Sequence, residues 1–316
     1  MQSPESPGFR PAFWLRNGHV NTFYGGMLRS IGVPDYQRQR IDTPDGDFLD
    51  LDWLRGDGRR VAILSHGLEG SSRRTYMSGM ATKLASAGWD ILSWNYRGCS
   101  GEQNRRLRTY HSGATEDLDA VVRTAQAEYD HIDLIGFSLG GNLTLKYLGE
   151  RGEDAPIQSA VAFSVPCDLA ASSRHLARAA ALPYMKRFLH SLRQKMREKA
   201  DLFPGEIDVG DLENLRSFRD FDDRFTAPLN GFLDAEDYWE RASSKPYIAS
   251  IRVRTLIASA LDDPFLPSSC YPHEEAATNP EITMETPQYG GHVGFAIRRG
   301  EFWSERRALS FLASGS

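Results

Sequence analysis

The sequence predicts an α/β fold: a mostly parallel central sheet, flanking helices, and a helical cap inserted after the sixth strand. Three observations carry this. Short apolar runs alternate with amphipathic stretches between residues 61 and 163, the pattern that crossover connections in a parallel sheet require. Residues 168–248 break the alternation, being charged, helical in period and without strand character. The pattern then resumes at residues 253–258 and 282–285, so a single sheet is interrupted once. The expected division is a core of residues 1–167 and 249–316 and a cap of residues 168–248, a size that one large domain with an insertion accommodates.

Each element has a local reason. Residues 36–41 and 48–54 read as extended segments around Thr43-Pro44-Asp45-Gly46-Asp47, whose Asp-Gly pair signals a hairpin turn. Val61-Ala62-Ile63-Leu64 is a strand. Met77, Met80, Ala81 and Leu84 recur at helical spacing before Gly88, and the strand 90–94 follows. Thr115, read as an N-cap ahead of Glu116 and Asp117, opens a helix through Leu118, Val121, Val122 and Ala125. Strand 132–136, helix 139–148 and strand 159–164 complete the first half, and residues 303–312 make a closing helix. Residues 11–28 hold Phe13, Trp14, Phe23 and Tyr24, aromatics that are expected to pack onto the core.

Composition excludes several classes of function. The 316 residues include 37 Lys and Arg against 42 Asp and Glu, a net charge of -5, which leaves no electrostatic footprint for nucleic acid. No apolar run approaches the roughly 18 residues that span a bilayer, and residues 1–8 lack the basic-then-apolar order of a secretion signal. Stable membrane insertion is therefore not expected. Cys99, Cys167 and Cys270 are too few and too scattered for a disulfide framework or a structural metal, so a cytoplasmic location is expected. The basic stretch 186–199 (Lys186, Arg187, Arg193, Lys195, Arg197, Lys199) reads as a solvated helix face rather than a grip on an anionic partner. Nothing in the sequence fixes an oligomeric state.

The chemistry centres on Gly136-Phe137-Ser138-Leu139-Gly140, a G-x-S-x-G motif placed between a predicted strand and a predicted helix. Such a turn brings backbone against backbone, so glycines flank a serine whose hydroxyl stands exposed above the sheet. A serine nucleophile needs a base downstream. His273 and His292 qualify, and His292, in Gly290-Gly291-His292-Val293-Gly294 after the last strand, is favoured. Asp262 and Asp263 follow strand 253–258 and are the acid candidates, the other of the pair being a turn residue or cap. The backbone N–H groups of Leu139 and of Leu68, in the loop after strand 61–64, are assigned as oxyanion donors, with the His66 side chain as a loop brace. The triad requires neither metal nor organic cofactor.

These residues resemble the α/β-hydrolase superfamily. Asn95-Tyr96-Arg97-Gly98-Cys99-Ser100-Gly101, Asn104-Arg105, Tyr110-His111-Ser112-Gly113, the serine motif continued through Gly141-Asn142, and Lys146-Tyr147-Leu148-Gly149-Glu150 are similar to its YheT-like branch (AB hydrolase 4 family). Asn17-Gly18-His19-Val20-Asn21-Thr22 is similar to that branch's opening motif. The resemblance implies Ser138, Asp263 and His292 as nucleophile, acid and base, Asp263-Pro264-Phe265-Leu266-Pro267 matching the D-P-x-x-P turn, with Asp262 as the alternative acid. It further implies hydrolysis of a small-molecule carboxylic ester with a short- to medium-chain acyl or lipid-like group. The alternatives are an acyltransferase with the same triad or a non-catalytic ligand-binding protein. Leu182, Tyr184, Phe188, Leu189, Phe221, Phe225, Phe232 and Trp239 are candidate lining for an acyl pocket.

Overall fold

The computed structural model describes residues 9–315; the polar stretch 1–8, read above for a signal, lies outside them. Eight strands form one sheet: β1 (Gln37–Asp42), β2 (Phe48–Leu54), β3 (Arg60–Ser65), β4 (Asp90–Asn95), β5 (His131–Phe137), β6 (Ser159–Phe163), β7 (Arg254–Ala258) and β8 (Ile282–Glu285). Their order is β1-β2-β4-β3-β5-β6-β7-β8, with β1, β2 and β4 paired antiparallel and the remainder parallel. From β3 the chain first moves outward to β4 and then crosses back to β5. The strand order therefore reverses between β3 and β5, and ligands of open α/β sheets gather outside the carboxyl ends at such a reversal.

The helices are α1 (Gly18–Phe23), α2 (Thr75–Ala85), α3 (Thr115–Gln126), α4 (Leu139–Arg151), α5 (Leu169–Leu176), α6 (Leu182–Leu202), α7 (Phe218–Phe221), α8 (Ala227–Leu229), α9 (Ala235–Ala242), α10 (His273–Ala277) and α11 (Trp303–Ala313). Buried apolar residues cover both sheet faces: Val121, Val122, Leu143 and Trp94 belong to one layer, Met77, Met80, Leu84 and Phe311 to the other. Near-continuous burial along β3 to β7 is what a sheet sandwiched by helices requires. Between β6 and β7 the chain runs through α5 to α9 and forms no strand among the described residues. On α6, Met185, Leu189, Leu192 and Met196 form one buried stripe that joins the larger core.

Three expectations change. Thr115 is the first residue of α3, and Ala114, which makes no side-chain cap, is its N-cap. The N-terminal aromatics divide: Tyr24 packs, half-buried, on Phe302, but Phe13 is 83% exposed and Trp14 and Phe23 remain nearly half exposed, the buried anchor of the segment being Leu15 against Ala296 and Phe302. Lys195 and Lys199 turn inward from α6 instead of lying on a solvated face, because the opposing core loops offer them carbonyl and side-chain oxygens. A short hairpin, β9 (Ala296–Arg298) with β10 (Glu301–Phe302), follows the His292 loop and was not anticipated.

Candidate active site

Ser138 stands at the carboxyl end of β5 with φ 54°, a strained setting for a side chain other than glycine. The pairing of Gly136 with Ser65 and of Phe137 with Phe163 fixes this point between β3 and β6. A Cβ on Gly136 would come within 2.2 Å of the Gly140 carbonyl oxygen, and one on Gly140 within 2.3 Å of that of Ser65. Backbone packing, not flexibility, therefore demands both glycines.

The structure brings Ser138, His292 and Asp263 together. His292 Nε2 lies 2.8 Å from Ser138 Oγ, and its Nδ1 lies 2.9 and 3.1 Å from the two carboxylate oxygens of Asp263. A ring nitrogen facing a carboxylate is the one that carries the proton, so Nε2 is left to accept from the serine hydroxyl. Phe265 stacks on the imidazole with 4.0 Å between ring centres and shields one of its faces. His273 instead belongs to α10, beside Tyr271. Asp262 does not reach the imidazole: its Oδ1 accepts from Gly291 N–H at 2.8 Å, and burial raises its carboxyl above the usual range. It is a brace for the histidine loop rather than a solvated turn residue.

Further braces come from residues to which sequence reasoning gave no role. Thr22 Oγ1 donates to Gly18 O at 2.6 Å and accepts His292 N–H at 2.8 Å. Ser164 Oγ accepts Val293 N–H at 2.9 Å, and Asn21 Oδ1 accepts Ala296 N–H at 3.0 Å. Gly291, at φ 60°, would place a Cβ 2.3 Å from Gly18 O, so α1 packs directly on the histidine loop. The N-terminal Asn-Gly-His-Val-Asn-Thr segment was the available signal. It holds the site's histidine in place.

Leu68 and Leu139 flank Ser138. A Cβ on Gly67 would lie 3.4 Å from Ser138 Cβ, and among the described residues neither Leu68 N–H nor Leu139 N–H has a hydrogen-bond partner. Two unused donors beside a serine can receive negative charge developing on a carbonyl oxygen. His66 supports this loop. Its Nδ1 lies 2.8 Å from Gly67 O, its Nε2 accepts Tyr96 N–H at 3.3 Å, and burial lowers its pKa to about 3, so the ring is neutral.

Two lobes of one cleft meet at Ser138, Leu68 and His292. One is walled by the apolar side chains of Leu169, Leu176, Leu192, Met196, Phe221 and Trp239, among others; the other by Thr22, Phe23, Glu69, Arg74, Tyr184, Arg187, Ser191 and Val293. Of the eight residues expected to line an acyl pocket, Tyr184, Phe188, Phe221 and Trp239 reach the cleft, whereas Leu182, Leu189, Phe225 and Phe232 do not line it. Among the described residues, no group of three His, Cys, Asp or Glu side chains is placed to hold a metal ion, and no helix is long and apolar enough to cross a membrane.

Residues 62–297 match the family model described as the alpha/beta hydrolase fold. The chain belongs to the α/β-hydrolase family. Within that family it is YheT-like: it is 34% identical over 321 residues to the Escherichia coli protein named "Putative esterase YheT", with 98% of this chain and 94% of that protein covered. It is also 30% identical over 299 residues to human phospholipase ABHD3, covering 91% of this chain and 73% of the relative. The esterase Pf2001 of Pyrococcus furiosus superposes with a TM-score of 0.60 at 18% identity over 90% of this chain and 98% of that one, a likeness of fold alone. Esterase and phospholipase names among its relatives support membership of the family's hydrolases.

Proposed function

We propose that the protein is a serine esterase that cleaves carboxylic esters of short- to medium-chain or lipid-like acyl groups. The 2.8 Å contact between Ser138 Oγ and His292 Nε2, backed by Asp263, carries the reading. Ser138 Oγ attacks the ester carbonyl as His292 takes its proton. The carbonyl oxygen becomes an oxyanion held by the Leu68 and Leu139 N–H groups. His292 then returns the proton to the departing alcohol, leaving an acyl-enzyme, and the same steps run with water release the acid. Asp263 fixes the imidazole tautomer throughout. Residues 168–248 act as a cap, and the apolar lobe beneath them takes the acyl chain. Free thiols at Cys99, Cys167 and Cys270 suit the cytoplasmic location we assign to it.

The test is turnover of p-nitrophenyl esters of increasing acyl length, with Ser138→Ala from the same preparation as control. Turnover with a chain-length maximum is expected, falling by at least about 10⁴-fold in Ser138→Ala while the melting temperature holds. Absence of wild-type turnover, together with no labelling of Ser138 by a fluorophosphonate, would refute it.

A further inference from the structure

The turn that offers Leu68 N–H to the cleft is held from two sides, and one of them is the cap. Its front is fixed within the core: Gly67 N–H donates to Tyr76 OH at 2.9 Å, and Gly70 N–H to Gly67 O at 3.0 Å. Glu69, immediately after Leu68, has φ 52°, a left-handed backbone that a residue with a side chain holds only where its surroundings impose it. Those surroundings are polar. Tyr110 OH donates to Glu69 Oε1 at 2.6 Å and accepts Glu69 N–H at 3.1 Å, and Arg74 Nη2 donates to Glu69 O at 2.6 Å.

The remaining partner comes from α6. Lys195 Nζ lies 2.8 Å from Glu69 Oε1, 3.1 Å from Cys99 Sγ and 4.9 Å from the centre of the Tyr110 ring. The Lys195 and Glu69 side chains are 13% and 9% exposed. Burial works against the ammonium, but Cys99 and Glu69 outweigh it and hold its pKa above the usual lysine range. Desolvation largely cancels the attraction of a buried ion pair, so stabilisation alone is a poor reason to place one here. One turn along α6, Lys199 Nζ donates to Asn104 Oδ1 at 2.7 Å and Arg106 O at 2.6 Å, which seats the same helix on the core.

We propose that Lys195 is a positioning residue: by gripping the Glu69 carboxylate it holds the turn in the strained form that aims Leu68 N–H at the reacting carbonyl, so the oxyanion site is complete only when the cap is seated. This rests on the esterase reading above. Lys195 touches no reacting atom. Its effect passes through Glu69 to one backbone donor, and it should appear in kcat rather than in KM.

The experiment measures kcat, KM and melting temperature for Lys195→Met, Lys195→Arg, Glu69→Gln and the double variant Lys195→Met/Glu69→Gln, on the p-nitrophenyl ester that the wild type turns over fastest. Lys195→Met and Glu69→Gln should each lower kcat about 10- to 100-fold, the scale of one misaimed donor, with KM within about threefold. Lys195→Arg should regain most of the loss. In the double variant the unpaired buried carboxylate of Lys195→Met is gone, so the melting temperature should recover while kcat stays low. A double variant whose kcat recovers with its melting temperature would make the pair structural and overturn the proposal, as would wild-type kcat in Lys195→Met. Should Lys195→Met fail to fold, Glu69→Gln with unchanged kcat overturns it equally. No turnover in the wild-type arm would remove the esterase reading itself, a failure distinct from that of the pair.

Discussion

The site has two halves held by different physics. On the sheet side, Ser138 and His292 are fixed by backbone packed on backbone, at Gly136 against Gly140 and at Gly291 against Gly18, with Thr22 and Asp262 bonding the histidine loop. On the cap side, α6 is seated by two lysine side chains, and Asp222 is buried against Thr226 and Trp239. Close backbone contacts leave no intermediate position. Charged side-chain contacts can be weakened by degrees and by pH. The sheet half should therefore set whether the reaction happens, and the cap half how fast and over what range of conditions.

The adjacent aspartates give the largest contrast within the sheet half. Asp263→Asn leaves the ring facing an amide that can stabilise the wrong tautomer, and kcat should fall about 10⁴-fold. Asp262→Asn keeps an oxygen able to accept from Gly291 N–H, so its loss should stay below about tenfold. Steady-state kinetics on both variants decides the matter. Equal losses would mean that the histidine loop, not the acid, is what limits the sheet half.

Thr22→Val probes the brace one step further out. The valine keeps the shape but leaves His292 N–H without an acceptor, a cost of about 1–3 kcal/mol. If the loop shifts to relieve it, kcat should drop about tenfold with KM little changed. A melting temperature lowered without any change in kcat would show that the N-terminal segment supports the fold and not the geometry of the site.

How far this site could be read from one sequence follows the same division. The serine turn is a contiguous pentapeptide whose glycines are required by contacts among near neighbours, and the alternation of strand and helix is likewise local. Chain order and loop placement pointed to Ser138, His292 and the Asp262–Asp263 pair, and only the family resemblance singled out Asp263 within that pair. The contact from Thr22 to His292 spans 270 residues, and that from Lys195 to Glu69 spans 126. No periodicity marks either. Lys195 and Lys199 stand on a charged amphipathic helix, where lysine ordinarily faces water; their inward direction depends on the loops opposite. Leu189 and Phe225 went the other way. Both looked available to line the cleft and instead pack into the larger core, since a hydrophobic stripe shows that a face is buried but not against what.

Asp222 gives the smallest effect and the cleanest test of the cap half. It lines the apolar lobe, and burial raises its pKa to about 7 even though Thr226 Oγ1 and Trp239 Nε1 donate to its two oxygens. In the unfolded chain the carboxyl titrates near 3.8. Between about pH 4 and pH 7 the unfolded chain has therefore released a proton that the folded chain still holds, so stability falls as pH rises through that window. The penalty is complete above pH 7, at most about 4 kcal/mol. Asp222→Asn removes the titration. Its melting temperature relative to wild type should climb as pH rises from 5 to 8, while kcat at neutral pH changes by less than about threefold. His66 and His111, buried with pKa values lowered to about 3 and 4, pull the other way, losing stability as pH falls below about 6.5, but they are the same in both proteins and cancel in the difference. A difference that stays flat with pH would mean that the folded protein accommodates the ionised carboxylate without penalty. A collapse of kcat in Asp222→Asn would place the cap among the parts on which the chemistry itself depends.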